Sequence, residues 1–310
     1  MRLWLLRLFM LACLPALATC ANAAVASGIS LAPIPTVTLA PPRFQAVLHS
    51  DLQYGPYAAE TLDLCLPAGA GTARPGVVLI HGGAWMQGDK QRWRPLCQRL
   101  ATYGFVAATI NYRLAPEWPF PAGLDDCLAV LQWMRSNGAS LGGDGTRIAV
   151  GGDSAGGNFA AALPIMARDA GLPPPQATVL LAPITDFFFE QHSSFERLGP
   201  LGIVYDTAFI GFIRGAYLVH GKNWGHPHAS PARADLRGYP PTLIATGTED
   251  PLVDENRVFA EKLRAAGGRR VEHFVREGMP HGFYFFPGMF KQGDEAFAAI
   301  ATFLGEVLAG

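Results

Sequence analysis

Short apolar runs alternate with amphipathic stretches along most of this chain. Val77-Val78-Leu79-Ile80, Val106-Ala107-Ala108-Thr109-Ile110, Ile148-Ala149-Val150, Thr178-Val179-Leu180-Leu181, Thr242-Leu243-Ile244-Ala245-Thr246 and Val271-Glu272-His273-Phe274-Val275 have the length and β-branched content of buried strands. Between them, residues 92–103, 124–136, 158–170, 255–266 and 294–308 read as helices. Leu124, Leu128, Leu131 and Met134 fall on one face of the second. The fourth stops at Gly267-Gly268, residues suited to a helix C-terminus. Pro164 inside the third should kink or shorten it. Strands alternating with helices predict an α/β fold with a mostly parallel sheet and helices on both faces. Two edge strands are expected near residues 46–48 and 61–64. Thr185–Leu236 breaks the rhythm. It carries Phe187-Phe188-Phe189, an apolar helical pattern over 206–219 and Trp224. A structureless loop that long is improbable inside a compact domain, so a helical cap is expected, its aromatics covering a pocket mouth.

The N-terminus has its own pattern. Arg2 and Arg7 bracket the apolar run Leu3–Ala18, and Ala21-Asn22-Ala23 forms a small-residue cleavage site. This predicts a signal peptide over 1–23, export to the periplasm or beyond, and no stable membrane span after cleavage. A lipoprotein anchored through Cys20 is the weaker alternative, because Thr19 suits that processing poorly. Pro33, Pro35, Pro41 and Pro42 make 24–45 an extended arm that could join the cap. The catalytic core then spans 46–184 and 237–310, with the cap insertion at 185–236.

With 310 residues, half hydrophobic, the chain can bury a large core. A net charge of −1 without a like-charge run gives no sign of a nucleic-acid partner. Of five cysteines, Cys65, Cys97 and Cys127 lie beyond the leader. Export would permit one bridge, but three buried, reduced thiols are the preferred expectation. No Cys/His spacing suggests a metal, and no cofactor motif is present.

The chemistry gathers at strand ends. Gly152-Asp153-Ser154-Ala155-Gly156 lies between a strand and a helix, the setting of a nucleophile elbow. Serine needs a base, and the base needs an orienting carboxylate. Of eight histidines, His281 sits in the loop after the last strand, on the sheet edge where the elbow opens. Asp250, in the loop after strand 242–246, is the chosen acid; Glu249, Asp254 and Asp186 compete, and Asp153 reads as a turn residue. Gly82 and Gly83, in His81-Gly82-Gly83-Ala84-Trp85, together with Ala155, are the expected oxyanion donors.

These blocks, with Tyr112-Arg113-Leu114-Ala115-Pro116-Glu117, Pro119-Phe120-Pro121-Ala122 and Asp125, Tyr239-Pro240-Pro241-Thr242, Asp250-Pro251-Leu252 and His281-Gly282-Phe283, resemble the hormone-sensitive-lipase-like esterases of the α/β-hydrolase superfamily over residues 50–308. The resemblance implies hydrolysis of short- to medium-chain carboxylic esters through a serine acyl-enzyme, without metal or cofactor. It implies a small-molecule ester as the binding partner and a structural role for the Tyr112–Glu117 block. The family's third oxyanion-loop glycine is Ala84 here. Trp85 with Gly88-Asp89-Lys90 is also similar to formamidase-like and feruloyl-esterase-like relatives, so an amidase or a polysaccharide-ester hydrolase is the alternative function. A non-catalytic binding protein on this fold is the remote one, since every triad part is present. The oligomeric state stays open, a dimer included.

Overall fold

The computed structural model describes residues 41–69, 71, 73–199, 207–219, 221, 223–285 and 291–309. The expected leader, its cleavage site, Cys20 and the arm up to residue 40 lie outside them. Eight strands form one sheet in the order β1-β2-β4-β3-β5-β6-β7-β8. They are β1 (Ala46–Gln53), β2 (Thr61–Pro67), β3 (Arg74–Ile80), β4 (Val106–Ile110), β5 (Gly143–Asp153), β6 (Ala177–Leu181), β7 (Thr242–Gly247) and β8 (Val271–Arg276). From β4 to β8 all pairings are parallel, and β1 and β2 add an antiparallel margin.

The helices are α1 (Arg94–Thr102), α2 (Ala122–Asn137), α3 (Ser154–Asp169), α4 (Ser193–Leu198), α5 (Thr207–Leu218), α6 (Val253–Ala265) and α7 (Lys291–Val307). Strand side chains alternate between faces, so a strand buried on both sides must be apolar throughout. β3 shows this: Val78 and Ile80 join the core under α2, α3 and α6, while Val77 and Leu79 join the core under α1 and α7. Fully burying each such side chain contributes about 1.5–3 kcal/mol.

Three expectations change. Pro164 does not shorten its helix: α3 runs through it, buried from Ser154 to Ile165. Packing outweighs the loss of one intrahelical N–H. The Tyr239 hydroxyl donates to the Ala161 carbonyl in the same turn, at 2.8 Å. The preferred picture of three reduced cysteines is also corrected. Cys65 on β2 and Cys97 on α1 are disulfide-bonded, with Cα atoms 5.8 Å apart, and among the described residues Cys127 is the one free thiol, buried. β2 and α1 pack face to face, which brings the two within bridging reach. Third, Phe187 and Phe189 do not rim a pocket; they are fully buried.

The insertion between β6 and β7 is helical, as expected, and carries α4 and α5. Tyr217 of α5 stacks on Trp85 with ring centroids 4.4 Å apart, and Phe187 packs against both. The arm's last residues turn the other way: the Arg43 and Phe44 amides donate to the Thr102 carbonyl at the end of α1.

Candidate active site

β5 passes directly into α3, with Asp153 the last strand residue and Ser154 the first helical one. No residue is left for a loop, so the reversal falls on Ser154, whose φ is +53°. A non-glycine residue there is strained, as a nucleophile elbow requires. The turn is possible because Gly156 has no side chain: a Cβ there would lie 2.2 Å from the Ile80 carbonyl oxygen. Asn158, one helical turn on, donates to the carbonyls of Ile184 and Ala229 at 2.8 and 2.7 Å. Both ends of the insertion are thereby pinned to the elbow helix.

Asp250 and His281 come from loops after the neighbouring strands β7 and β8. The Glu249 amide donates to the Met279 carbonyl at 3.1 Å. Gly247 approaches so closely that a Cβ would lie 1.8 Å from that same oxygen. The two loops therefore lock together, and His281 Nδ1 meets Asp250 Oδ2 at 2.7 Å. Asp250 is buried, and its other oxygen accepts the Leu252 amide at 2.9 Å. Burial is the largest single influence on His281 and pushes its pKa down. The charge of Asp250, the hydrogen bond to it and the charge of Asp153 together outweigh burial, so the pKa stands above the ordinary imidazole value.

The competing carboxylates are engaged elsewhere. Asp186 accepts from Arg233 Nε at 2.8 Å, and Asp254 from Ser193 Oγ at 2.6 Å. Glu249 accepts from its neighbour Thr248.

The oxyanion loop departs from expectation at one residue. The Gly82 amide donates to Asp153 Oδ1 at 2.7 Å and is thus committed within the protein. Gly83, Ala84 and Trp85 follow with φ of +123°, +52° and +61°, a sharp left-handed bend. Among the described residues the Gly83 and Ala84 amides make no hydrogen bond. The Ala155 amide, in the first turn of α3, has no intrahelical acceptor. The loop is held from behind. His81 is buried, which lowers its pKa; Nδ1 pairs with the Gly82 carbonyl at 2.8 Å. Its ring stacks on Tyr112, whose hydroxyl donates to the His81 carbonyl at 2.8 Å. Arg113 grips Asp126 through Nε at 2.9 and 3.0 Å. The Tyr112–Glu117 block thus braces the loop.

Asp153 does what its sequence position did not disclose. Oδ1 also accepts the Trp93 indole N–H at 2.8 Å, so one carboxylate ties together elbow, oxyanion loop and the approach to α1. A carboxylate beside the serine was the visible signal; its partners lie 71 and 60 residues away, beyond any local pattern.

Comparison with known proteins places the chain by fold and sequence. A family model for the alpha/beta hydrolase fold matches residues 77–285. The chain is 38% identical over 215 residues to the carboxylesterase NlhH of Mycobacterium tuberculosis, covering 68% of this chain and 67% of that protein. It is 33% identical over 229 residues to an acetyl-hydrolase of Streptomyces hygroscopicus, covering 74% of each. Among solved structures, the hyperthermophilic esterase of Pyrobaculum calidifontis superposes with a TM-score of 0.77 at 32% identity, covering 86% of this chain and 87% of that one. An esterase of the bacterial hormone-sensitive lipase family gives 0.75 at 30% identity, with 87% of each chain covered. The chain belongs to the α/β-hydrolase family, in its hormone-sensitive-lipase-like esterase branch.

Proposed function

We propose that the protein is a serine carboxylesterase acting on short- to medium-chain esters. The observation that carries this reading is the 2.7 Å contact between His281 Nδ1 and buried Asp250, set on the sheet edge where strained Ser154 emerges. With Nδ1–H held by Asp250, His281 presents Nε2 as the base. Ser154 Oγ attacks the ester carbonyl and passes its proton to Nε2. The tetrahedral oxyanion takes the amides of Gly83, Ala84 and Ala155, while Gly82 holds the loop through Asp153. Collapse breaks the C–O bond, and the leaving alcohol takes the proton from His281. Water then attacks the acyl-enzyme with His281 again as base, releasing the acid and free Ser154.

The acetyl-hydrolase among the relatives supports a short acyl group. The helical insertion, anchored through Tyr217 on Trp85, serves as the cap. The apolar leader and the Cys65–Cys97 bridge support action outside the cytoplasm. Purified protein should hydrolyse p-nitrophenyl acetate and butyrate and be labelled at Ser154 by a fluorophosphonate. Full hydrolysis by Ser154→Ala would refute the reading.

A further inference from the structure

A second polar site lies where the insertion joins the core. Between the two ends of the insertion and α6 there is a cavity of about 300 Å3, and neither Ser154, Asp250 nor His281 lines it. Asp186, Gln191 and His192 reach it from the outgoing end, Arg233 from the returning end, and Glu255 and Lys262 from α6. The two cations, Arg233 and Lys262, are exposed at the rim, and Glu255 is buried at the floor.

The hydrogen bonds here leave unused capacity pointing to a ligand. Glu255 Oε1 accepts from the Thr185 amide, from Thr185 Oγ1 at 3.0 Å and from the Asp186 amide at 2.8 Å. Its Oε2 is buried and has no partner within the protein; buried Nε2 of His192 has none either. Leaving such an atom unpaired is unfavourable, because burial strips its water without supplying a partner. Burial pushes the Glu255 pKa up to about 8, so at neutral pH this carboxyl is protonated and can donate. Arg233 spends Nε on Asp186 at 2.8 Å and Nη2 on Gln191 Oε1 at 2.9 Å. Lys262 Nζ donates to the Ala232 carbonyl at 2.9 Å and has two further N–H bonds to offer. Two cations against one ionised carboxylate, Asp186, leave a single positive charge. That matches a monoanion, whereas a sulfate or phosphate dianion would leave one charge uncompensated in a partly buried site.

We propose that this cavity is a binding site for a small monocarboxylate, held by Lys262 and Arg233 at the rim and by Glu255 and His192 at the floor. An occupant would join both stems of the insertion to α6.

Isothermal titration of the full chain with sodium butyrate tests this, using protein whose Ser154 has been blocked by a fluorophosphonate so that the triad cannot be the site. Binding is expected in the blocked protein. Lys262→Met, which removes the charge and keeps the apolar stem, should weaken it about tenfold. The same variant, unblocked, should hydrolyse p-nitrophenyl acetate at the wild-type rate. Glu255→Gln, which keeps a donor at the floor, should retain binding. Equal butyrate affinity in wild type and Lys262→Met would overturn the proposal, as would sulfate binding more tightly than butyrate. Crystals grown in butyrate give a check independent of any variant: the carboxylate should lie in the cavity, and ordered water alone there would count against the site. Failure of Ser154 to react would bear on the esterase reading instead, because the crystals test the cavity without it.

Discussion

Asp153 Oδ1 accepts the Gly82 amide at 2.7 Å, joining the residue before the proposed nucleophile Ser154 to the loop proposed to meet the oxyanion. The same oxygen takes the Trp93 indole N–H, so the carboxylate is fully buried and held from two sides. Its position sets the Gly83 and Ala84 amides relative to Ser154. Oxyanion stabilisation depends on donors fixed before the charge develops, and losing one costs about 10²–10³ in rate.

Asp153→Ala should therefore lower kcat by roughly 10–10³-fold, with a smaller change in KM, because the donors act mainly on the transition state. It leaves two buried donors unpaired, so stability should fall by about 1–3 kcal/mol for each. Stopped-flow or steady-state kinetics with p-nitrophenyl butyrate, beside a urea melt, separate the two effects. An unchanged kcat would show that the Gly82 contact does not organise the loop.

The pH profile should report His281. Its pKa is raised above the ordinary value, and only the neutral ring can act as base. Activity should thus be lost as pH falls, with the acid-limb midpoint of kcat/KM above about 6.5. Asp250→Asn removes the main raising influence and should move that midpoint down. It should also cut kcat by about 10⁴-fold, since the ring loses its anchor. A midpoint unmoved by this substitution would assign the limb to another group. The linkage sign for stability is the reverse of that for activity. The Asp250–His281⁺ contribution is complete below the unfolded pKa and is lost as pH rises through the folded one.

Glu255 should govern stability in the alkaline direction. Burial holds its folded pKa near 8, above the ordinary carboxyl value, so the folded state retains a proton that the unfolded chain releases. Its contribution is complete below about 4.5 and falls away as pH rises towards 8. Glu255→Gln mimics the protonated form at all pH values. Its melting temperature should match wild type near pH 4.5, exceed it increasingly up to pH 8, and keep a constant margin beyond. Parallel melting curves for the two proteins across this range would contradict the assignment.

The Cys65–Cys97 bridge closes a loop of sequence separation 32 between β2 and α1. Restricting the unfolded chain in this way contributes about 3–4 kcal/mol. Reduction, or Cys65→Ser with Cys97→Ser, should lower unfolding free energy by that order and leave kcat nearly unchanged, because neither residue lies in the proposed catalytic machinery. Mass spectrometry of alkylated protein, unreduced, should find Cys127 modified once the fold is opened and Cys65 and Cys97 unmodified.

Much of this molecule was legible before any coordinates. Apolar runs such as Val106–Ile110 are complete strands at the expected residues, because burial on both faces demands continuous hydrophobicity. The elbow was legible because a serine between glycines at a strand–helix junction is a local constraint. So were Asp250 and His281, since loops at the carboxyl ends of parallel strands open on one edge. The sequence by itself thus determined the layers, the order of the candidate triad and the place of the oxyanion loop.

Only the tertiary structure decided among residues of equal local promise. It paired Asp250 with His281 because β7 and β8 are neighbours, and gave Asp186 to Arg233. It brought Gly82 to Asp153 because β3 lies beside β5, which commits the Gly82 amide and leaves those of Gly83 and Ala84 for the proposed oxyanion role. It joined Cys65 to Cys97 and gathered Arg233, Glu255 and Lys262 around one cavity. Each of these is a contact between residues distant in sequence. Strand order and register create them, and the local periodicities that define strands and helices carry no information about which strand lies next to which.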